Sequence, residues 1–298
     1  MVKFIMMVGL PGSGKSSLAK EISIKENAVI HSSDELRLEL FGDVNNSDKN
    51  NQTFTELDKR IRHDLLKGFN VIYDATNISY KKRKCYLDKL KSIPCYKKCY
   101  FLATHHETCL KRNKARNRFI PEEVIINMLK GIFVPQYFEG WDNIEIIFDS
   151  GEKYREDELF NDLDGISQDN PHHTLTIGRH CKKAMEYIEE NYSDLIIKNA
   201  ALFHDIGKKL TKDFKNHKGE ITEIAHYYNH QNVSAYLSLF YLKELETDDI
   251  LKITDYIQWH MQVYNMESSK SRNKFIKLKG KEFYDNLLKL NEADMSAK

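Results

Sequence analysis

The 298-residue sequence lacks the features that mark several protein classes. Its five cysteines (Cys85, Cys95, Cys99, Cys109 and Cys181) are odd in number and form no C-x-x-C pair. That argues against a disulfide framework or a zinc knuckle and for reduced thiols in a cytosol. No apolar run approaches the roughly 20 residues that cross a bilayer, so no membrane association is expected. The apolar start at Met1 is short and runs directly into a glycine-rich segment, so it reads as a strand and not as a signal peptide. Repeats and low-complexity tracts are absent, and beyond Pro171 there is no further proline. Excess charge is missing too: the formal net charge is +1. Its distribution is uneven, however. Residues 81–118 hold thirteen Lys/Arg against Asp88 and Glu107, whereas residues 119–170 hold thirteen Asp/Glu against Lys130, Lys153 and Arg155. A local basic field favours an anionic partner such as nucleic acid, although a lysine-rich solvated helix face accounts for much of residues 81–98.

What is present begins with Gly9-Leu10-Pro11-Gly12-Ser13-Gly14-Lys15-Ser16, between the apolar run Phe4 to Val8 and a helical pattern. It fits G-x-x-x-x-G-K-[ST] in the strand–loop–helix context of a phosphate loop. Glycines let successive N–H groups face one phosphate chain, and the following helix adds the positive end of its dipole. Gly9, Gly12, Ser13, Gly14, Lys15, Ser16 and Ser17 are the expected nucleotide contacts, with Lys15 on the β- and γ-phosphates and the Ser16 hydroxyl on Mg²⁺. ATP and Mg²⁺ are the expected cofactors.

A length of 298 residues suggests two domains. Apolar runs at 3–8, 28–31, 70–73, 97–103 and 144–148 alternate with helical patterns, which predicts a five-stranded parallel sheet covered on both faces, with ligands beyond the carboxyl ends of its strands. After the second run comes Asp34, an expected helix N-cap, with Arg37 one turn on. Its carboxylate is placed to take a proton from an acceptor hydroxyl, and the guanidinium to grip a phosphate. After the third run comes Asp74-Ala75-Thr76-Asn77, where an Asp serves Mg²⁺ or orients an arginine. Arg112-Asn113-Lys114-Ala115-Arg116-Asn117-Arg118 before Pro121 reads as an arginine lid that neutralises transferring phosphate charge.

The order phosphate loop, D-x-x-R, D-x-[TN]-N, K-R-N-x-x-R resembles the kinase domain of polynucleotide 5′-kinases over residues 1–150. The resemblance implies Asp34 as general base, Arg37 on the 3′-phosphate of the acceptor, Arg112 and Arg116 as lid arginines and Asp74 as a supporting carboxylate.

Residues 151–171 are acidic and polar and read as a linker; from 172 to 298 the pattern is helical throughout, predicting an all-α domain. Along it fall His180, then His204-Asp205 at an apolar helix end that Gly207 terminates, then His230, His260 and Asp294. Imidazoles and carboxylates are ligands for divalent transition metals, and helices converge them in a bundle core. The order H…HD…H…H…D resembles the HD-domain phosphohydrolases. The resemblance implies one metal on His180, His204, Asp205 and Asp294, and a second on His230 and His260 shared through Asp205. The metals expected are Mn, Ni, Zn, Fe or Co. It makes Lys208, and also His173, candidate phosphate contacts; His172, His217 and His226 are read as packing or surface residues. The chain stops four residues past Asp294, where the resemblance implies a longer last helix.

The combined expectation is a cytoplasmic two-domain enzyme that heals nucleic-acid ends, RNA above all. One half would phosphorylate a 5′-OH and the other would remove a 2′,3′-cyclic or terminal 2′/3′-phosphate, with an RNA ligase as partner. Two alternatives stay open: a small-molecule kinase fused to an HD nucleotidase, and a nucleotide-gated HD regulator.

Overall fold

In the computed structural model, which describes residues 1–46, 48–115, 120–149, 153–171 and 174–298, the apolar segment before the glycine-rich loop is β1 (Val2–Val8). Phe4 to Val8 are at most 1% exposed. Each such side chain contributes about 1.5–3 kcal/mol by burial, and a strand buried on both faces belongs in the middle of a parallel sheet. The chain divides into two units, Met1–Met128 with Pro135–Ser150, and Leu129–Val134 with Gly151–Lys298.

The first unit continues with α1 (Lys15–Glu26), β2 (Ala28–Ser32), α2 (Ser33–Phe41), α3 (Asn50–Leu66), β3 (Asn70–Asp74), α4 (Tyr80–Lys89), β4 (Cys95–Ala103), α5 (His106–Lys114), α6 (Glu122–Gly131, whose last three residues are counted with the second unit) and β5 (Asn143–Phe148). The five strands are parallel in the order β2-β3-β1-β4-β5, as the spacing predicts. Register does the positioning. Met7 of β1 and Ser32 of β2 both pair with Asp74, so three strands end level and their following segments meet. Ser32, not Asp34, is the N-cap of α2: its Oγ accepts from Asp34 N and Glu35 N at 3.3 and 3.5 Å. Asp34 sits within the first turn, where the helix dipole favours a carboxylate.

The uneven charge has an intramolecular explanation. Arg83, counted in the basic stretch, is 1% exposed and grips Glu139 through Nε and Nη2 at 2.7 and 2.6 Å. Lys98 pairs with Glu145, Arg112 with Asp149 and Lys114 with Glu122. Part of the acidic stretch thus answers part of the basic one within this unit. Arg83 also donates through Nη1 to the carbonyls of Asn77 and Ile78 at 2.9 and 3.0 Å, fixing the loop after β3.

The second unit contains α7 (Glu156–Leu163), α8 (Ile177–Asn191), α9 (Leu195–Phe203), α10 (Lys208–Thr211), β6 (Asp213–Lys215), β7 (Ile221–His226), α11 (His230–Leu242), α12 (Thr247–Trp259), α13 (Ser269–Lys279) and α14 (Lys281–Ser296). Two expectations need correction. The stretch 151–171 carries α7 and belongs to this unit, because Phe160 and Leu163 are apolar at helical spacing and buried. Nor is the unit all-α: β6 and β7 form an antiparallel hairpin. Its turn is built on Asn216, whose Oδ1 accepts from Lys218 N and Glu220 N, and on Gly219 at φ 83°. The β-branched residues Ile221, Thr222 and Ile224 then favour a strand. All five cysteines are free thiols, and among the described residues no helix is long and apolar enough to cross a membrane.

Removing one partner of a buried ion pair leaves an uncompensated charge and costs about 3–5 kcal/mol. Arg83→Met should therefore destabilise the first unit by that amount in denaturant unfolding. A change under about 1 kcal/mol would show that Glu139 is neutralised by other means.

Candidate functional site

The glycine loop is clamped on two sides. Gly9 N donates to the Thr76 carbonyl at 3.1 Å, and Thr104 Oγ1 donates to the Ser13 carbonyl at 3.1 Å. Gly12 has φ 88°, and a Cβ there would lie 2.5 Å from the Cys109 carbonyl oxygen, so both backbone conformation and close approach require glycine. Lys15, 8% exposed, donates from Nζ to the Leu10 carbonyl at 2.7 Å and lies 3.5 Å from Ser13 Oγ. Its ammonium is held against the loop that a phosphate chain would occupy. Ser16 Oγ donates to Asp74 Oδ2 at 2.7 Å, joining the two groups expected to serve Mg²⁺.

Lys15, Ser16 and Asp74 line one cavity of about 140 Å³ together with Asp34, Arg37 and Phe54. Arg37 is buried; its Nη1 meets Asp34 Oδ1 at 2.8 Å and its Nη2 meets Asn50 Oδ1 at 2.8 Å. Asn50 and Phe54, which fix this guanidinium, carry no sequence signal of their own; they are set there by the start of α3. Ser17 stands in the first turn of α1, exposed, with its N–H on the Gly14 carbonyl. Arg112 is half exposed on Asp149 and is not among the cavity's lining residues. Arg116, the other expected lid arginine, lies outside the described residues, as does His173.

The second unit gathers its histidines as the spacing anticipates. His180 comes from α8, His204 and Asp205 follow α9, His230 opens α11, His260 follows α12 and Asp294 comes from α14. Gly207 does not terminate α9 in the left-handed region; its φ is −70° and α9 ends earlier, at Phe203. Gly207 is required instead for packing. A Cβ there would lie 2.5 Å from His230 O and from Ser234 N.

Donor atoms of His180, His204, Asp205 and Asp294 lie within 4.8 Å of one another, and so do those of Asp205, His230 and His260. Asp205 serves both sets. Its Oδ2 is 3.2 Å from His180 Nε2 and 3.3 Å from His204 Nε2, whereas its Oδ1 is 3.1 Å from His230 Nε2 and 3.7 Å from His260 Nε2.

Hydrogen bonding fixes the tautomers. A carbonyl only accepts, so Nδ1–H of His204, His230 and His260 donates to Ala201, Tyr227 and Ile257 oxygens, each at 2.7 Å, and that of His180 to Ala297 O at 3.1 Å. All four Nε2 lone pairs then face inward, and they meet in pairs at 3.1 Å, His180 with His204 and His230 with His260. Two neutral lone pairs at that distance need a cation or a proton between them. Among the described residues the buried Asp205 Oδ1 also has no hydrogen-bond donor. The donor set fits a divalent metal whose histidines are oriented by backbone carbonyls.

Without a cation, burial opposes charge on His204, but Asp205 and Asp294 outweigh it and hold its pKa up at about 10. Burial, with His230 and His204 alongside, pushes His260 down to about 3. Lys208 Nζ lies 2.6 Å from Asp205 Oδ2 and donates to Gln168 Oε1 at 2.7 Å. Gln168 falls in the stretch read as a linker, which is why its role is invisible in the sequence. Tyr264, also unanticipated, donates from its hydroxyl to Asp294 Oδ2 at 3.1 Å.

Residues 4–135 match the AAA domain family, and this part is a P-loop kinase-like domain. The L-seryl-tRNA(Sec) kinase of Methanococcus maripaludis is 30% identical over 175 residues, 55% of this chain and 66% of that protein, so the chain spans just under two thirds of this relative. Among solved structures, the Pnkp1/Rnl/Hen1 RNA repair complex is similar at 26% identity and TM-score 0.37, over 43% of this chain and 42% of that one. A gluconokinase from Sinorhizobium meliloti 1021 is similar at 19% identity and TM-score 0.37, over 50% of this chain and 84% of that one.

Asp205→Ala removes the one carboxylate that both donor sets share. Elemental analysis of the purified variant should find neither metal, whereas His230→Ala should keep the metal on His180, His204, Asp205 and Asp294. Full metal content in Asp205→Ala would rule out a shared carboxylate.

Proposed function

We propose that the first unit transfers the γ-phosphate of ATP to the 5′-hydroxyl of a nucleic-acid end, RNA foremost, and that the second hydrolyses a phosphate at the other end, the two sites preparing ends for a ligase in a cytosol. The observation that supports this best is the convergence of Lys15, Ser16, Asp74, Asp34 and Arg37 on one cavity. Lys15 and the loop N–H groups would hold the triphosphate, and Ser16 with Asp74 would hold Mg²⁺. Asp34, half exposed and oriented by Arg37, takes the proton of the attacking hydroxyl. Support for an RNA-borne acceptor comes from the curated relative, whose name specifies a tRNA.

In the second unit, His180, His204, Asp205 and Asp294 would hold one divalent metal and Asp205, His230 and His260 another. Metals held there supply Lewis acidity toward phosphoryl oxygens and acidify bound water. Lys208 lines the same cavity and offers its ammonium to the phosphate. With a 2′,3′-cyclic end, water adds to phosphorus, one P–O(ribose) bond breaks and that ribose oxygen takes a proton, leaving a monoester.

One observation favours a second reading, a small-molecule acceptor for the kinase. The cavity is narrow, about 140 Å³, and none of the described residues of 81–115 lines it. The deciding experiment incubates the full chain with labelled ATP, a 5′-OH, 2′,3′-cyclic-phosphate oligoribonucleotide and a panel of small polyols, following both oligonucleotide ends. Label on the 5′ end is expected. Label only on a polyol would transfer the proposal to the second reading.

Lys15→Ala and Asp34→Ala should each abolish or slow transfer, the latter by about 10²–10⁴-fold for loss of a proton acceptor, while phosphate release persists. Near-normal transfer by Asp34→Ala would remove it as the base. Arg37→Ala should raise the acceptor KM far more than the ATP KM, with Lys restoring little because an ammonium cannot make the bidentate fork. Equal effects on both KM values would withdraw Arg37 from the acceptor.

A further inference from the structure

The cavity beside Asp205 is larger than a metal centre needs. Its volume is about 530 Å³, within the range of small-molecule sites. One part of its wall is the metal-ligand set Asp205, His230, His260 and Asp294; another is Tyr228, Tyr264 and Met261. Both tyrosines are exposed residues, Tyr228 at 45% and Tyr264 at 46%, beside a polar centre that is itself buried. These rings are fixed in place. Tyr228 lies parallel to His226, with centroids 5.5 Å apart and planes at 4°, and His226 is tied to Thr222 Oγ1 at 3.0 Å. His226, read from sequence as a packing or surface residue, therefore supports a cavity-lining ring. Tyr264 is fixed by its hydroxyl on Asp294.

Resting on the hydrolase reading above, we propose that Tyr228, backed by His226, is a stacking platform for the nucleobase of the ester whose phosphate is cleaved. The substrate class is then a phosphorylated nucleoside terminus rather than a bare sugar phosphate. A cationic and metal-ligating wall suits the phosphate, and an oriented ring on the same cavity suits the base. Every base has a π-face, so the platform accepts all four. Tyr264 lines the same cavity, with its hydroxyl on Asp294.

The test uses the full chain loaded with Mn²⁺ and two esters, adenosine 2′,3′-cyclic phosphate and the base-less 1-O-methylribose 2′,3′-cyclic phosphate. Wild type should favour the nucleoside ester in kcat/KM by roughly 10- to 100-fold, the range expected for one stacked base. Tyr228→Ala should lose that preference, mainly through KM, and leave the base-less ester unchanged. Tyr228→Phe and Tyr228→Trp should retain it, and His226→Ala should lose part of it. An equal fall on both esters, or no fall, overturns the platform while the hydrolase reading stands. If wild type cleaves neither ester, the hydrolase reading fails. Binding of labelled adenosine 3′-phosphate, with the first unit saturated by a non-hydrolysable ATP analogue, then decides stacking: Tyr228→Ala should weaken it by the same factor, and equal affinities overturn the proposal.

Discussion

A carboxylate taken out of water must be compensated from every side, and the second unit is arranged around one such group. Asp205 is 2% exposed, with Lys208, His180 and His204 around one oxygen and His230 and His260 around the other. Those partners come from α8, α10, α11 and the ends of α9 and α12, so the helices are obliged to converge where the charge is. Gly207 makes the convergence possible. It brings the chain just after Asp205 against the first turn of α11, with Gly207 N on Ser234 Oγ at 2.9 Å and no room for a Cβ. A substitution there would push His230 away from Asp205 before altering any ligand.

The first unit meets the same requirement through strand register. A parallel ladder that ends β1, β2 and β3 level brings Lys15, Asp34 and Asp74 to one edge without any contact chosen for that purpose. Arg83 completes it from inside. By holding the carbonyls of Asn77 and Ile78 it steadies the segment whose Thr76 carbonyl receives Gly9 N. A buried arginine 68 positions after Lys15 in sequence thus supports the loop that presents that lysine.

How much of this was legible in the sequence follows from the range of each signal. The five strands were readable because burial on both faces writes itself as apolar runs, and the phosphate loop because its geometry needs glycine at set places. The histidine order was readable because clustering imidazoles and carboxylates in a core needs particular residue types at set places in the sequence. What stayed hidden depends on long-range pairing. Arg83 looked like one more base in a basic stretch until Glu139 closed on it, and Gln168 looked like linker until Lys208 reached it. The hairpin at 213–226 was missed because its strands are short and largely exposed, so no apolar period marks them.

The two histidine pairs are not equivalent, and the reason lies in where the carboxylates stand. Asp205 and Asp294 both face His180 and His204, and their charge holds His204 protonatable up to about 10 against its burial. His260 has one shared oxygen of Asp205 at 3.7 Å and two imidazoles alongside, and burial drives it down to about 3. The field that attracts a proton attracts a cation. The first donor set therefore offers two carboxylates to a metal, while the second shares its carboxylate with the first. A cation on His230 and His260 would be held mainly by neutral nitrogen and by the remaining oxygen of Asp205. A second metal would consequently be the weaker and more exchangeable one, and both of its histidines line the open cavity with Tyr228.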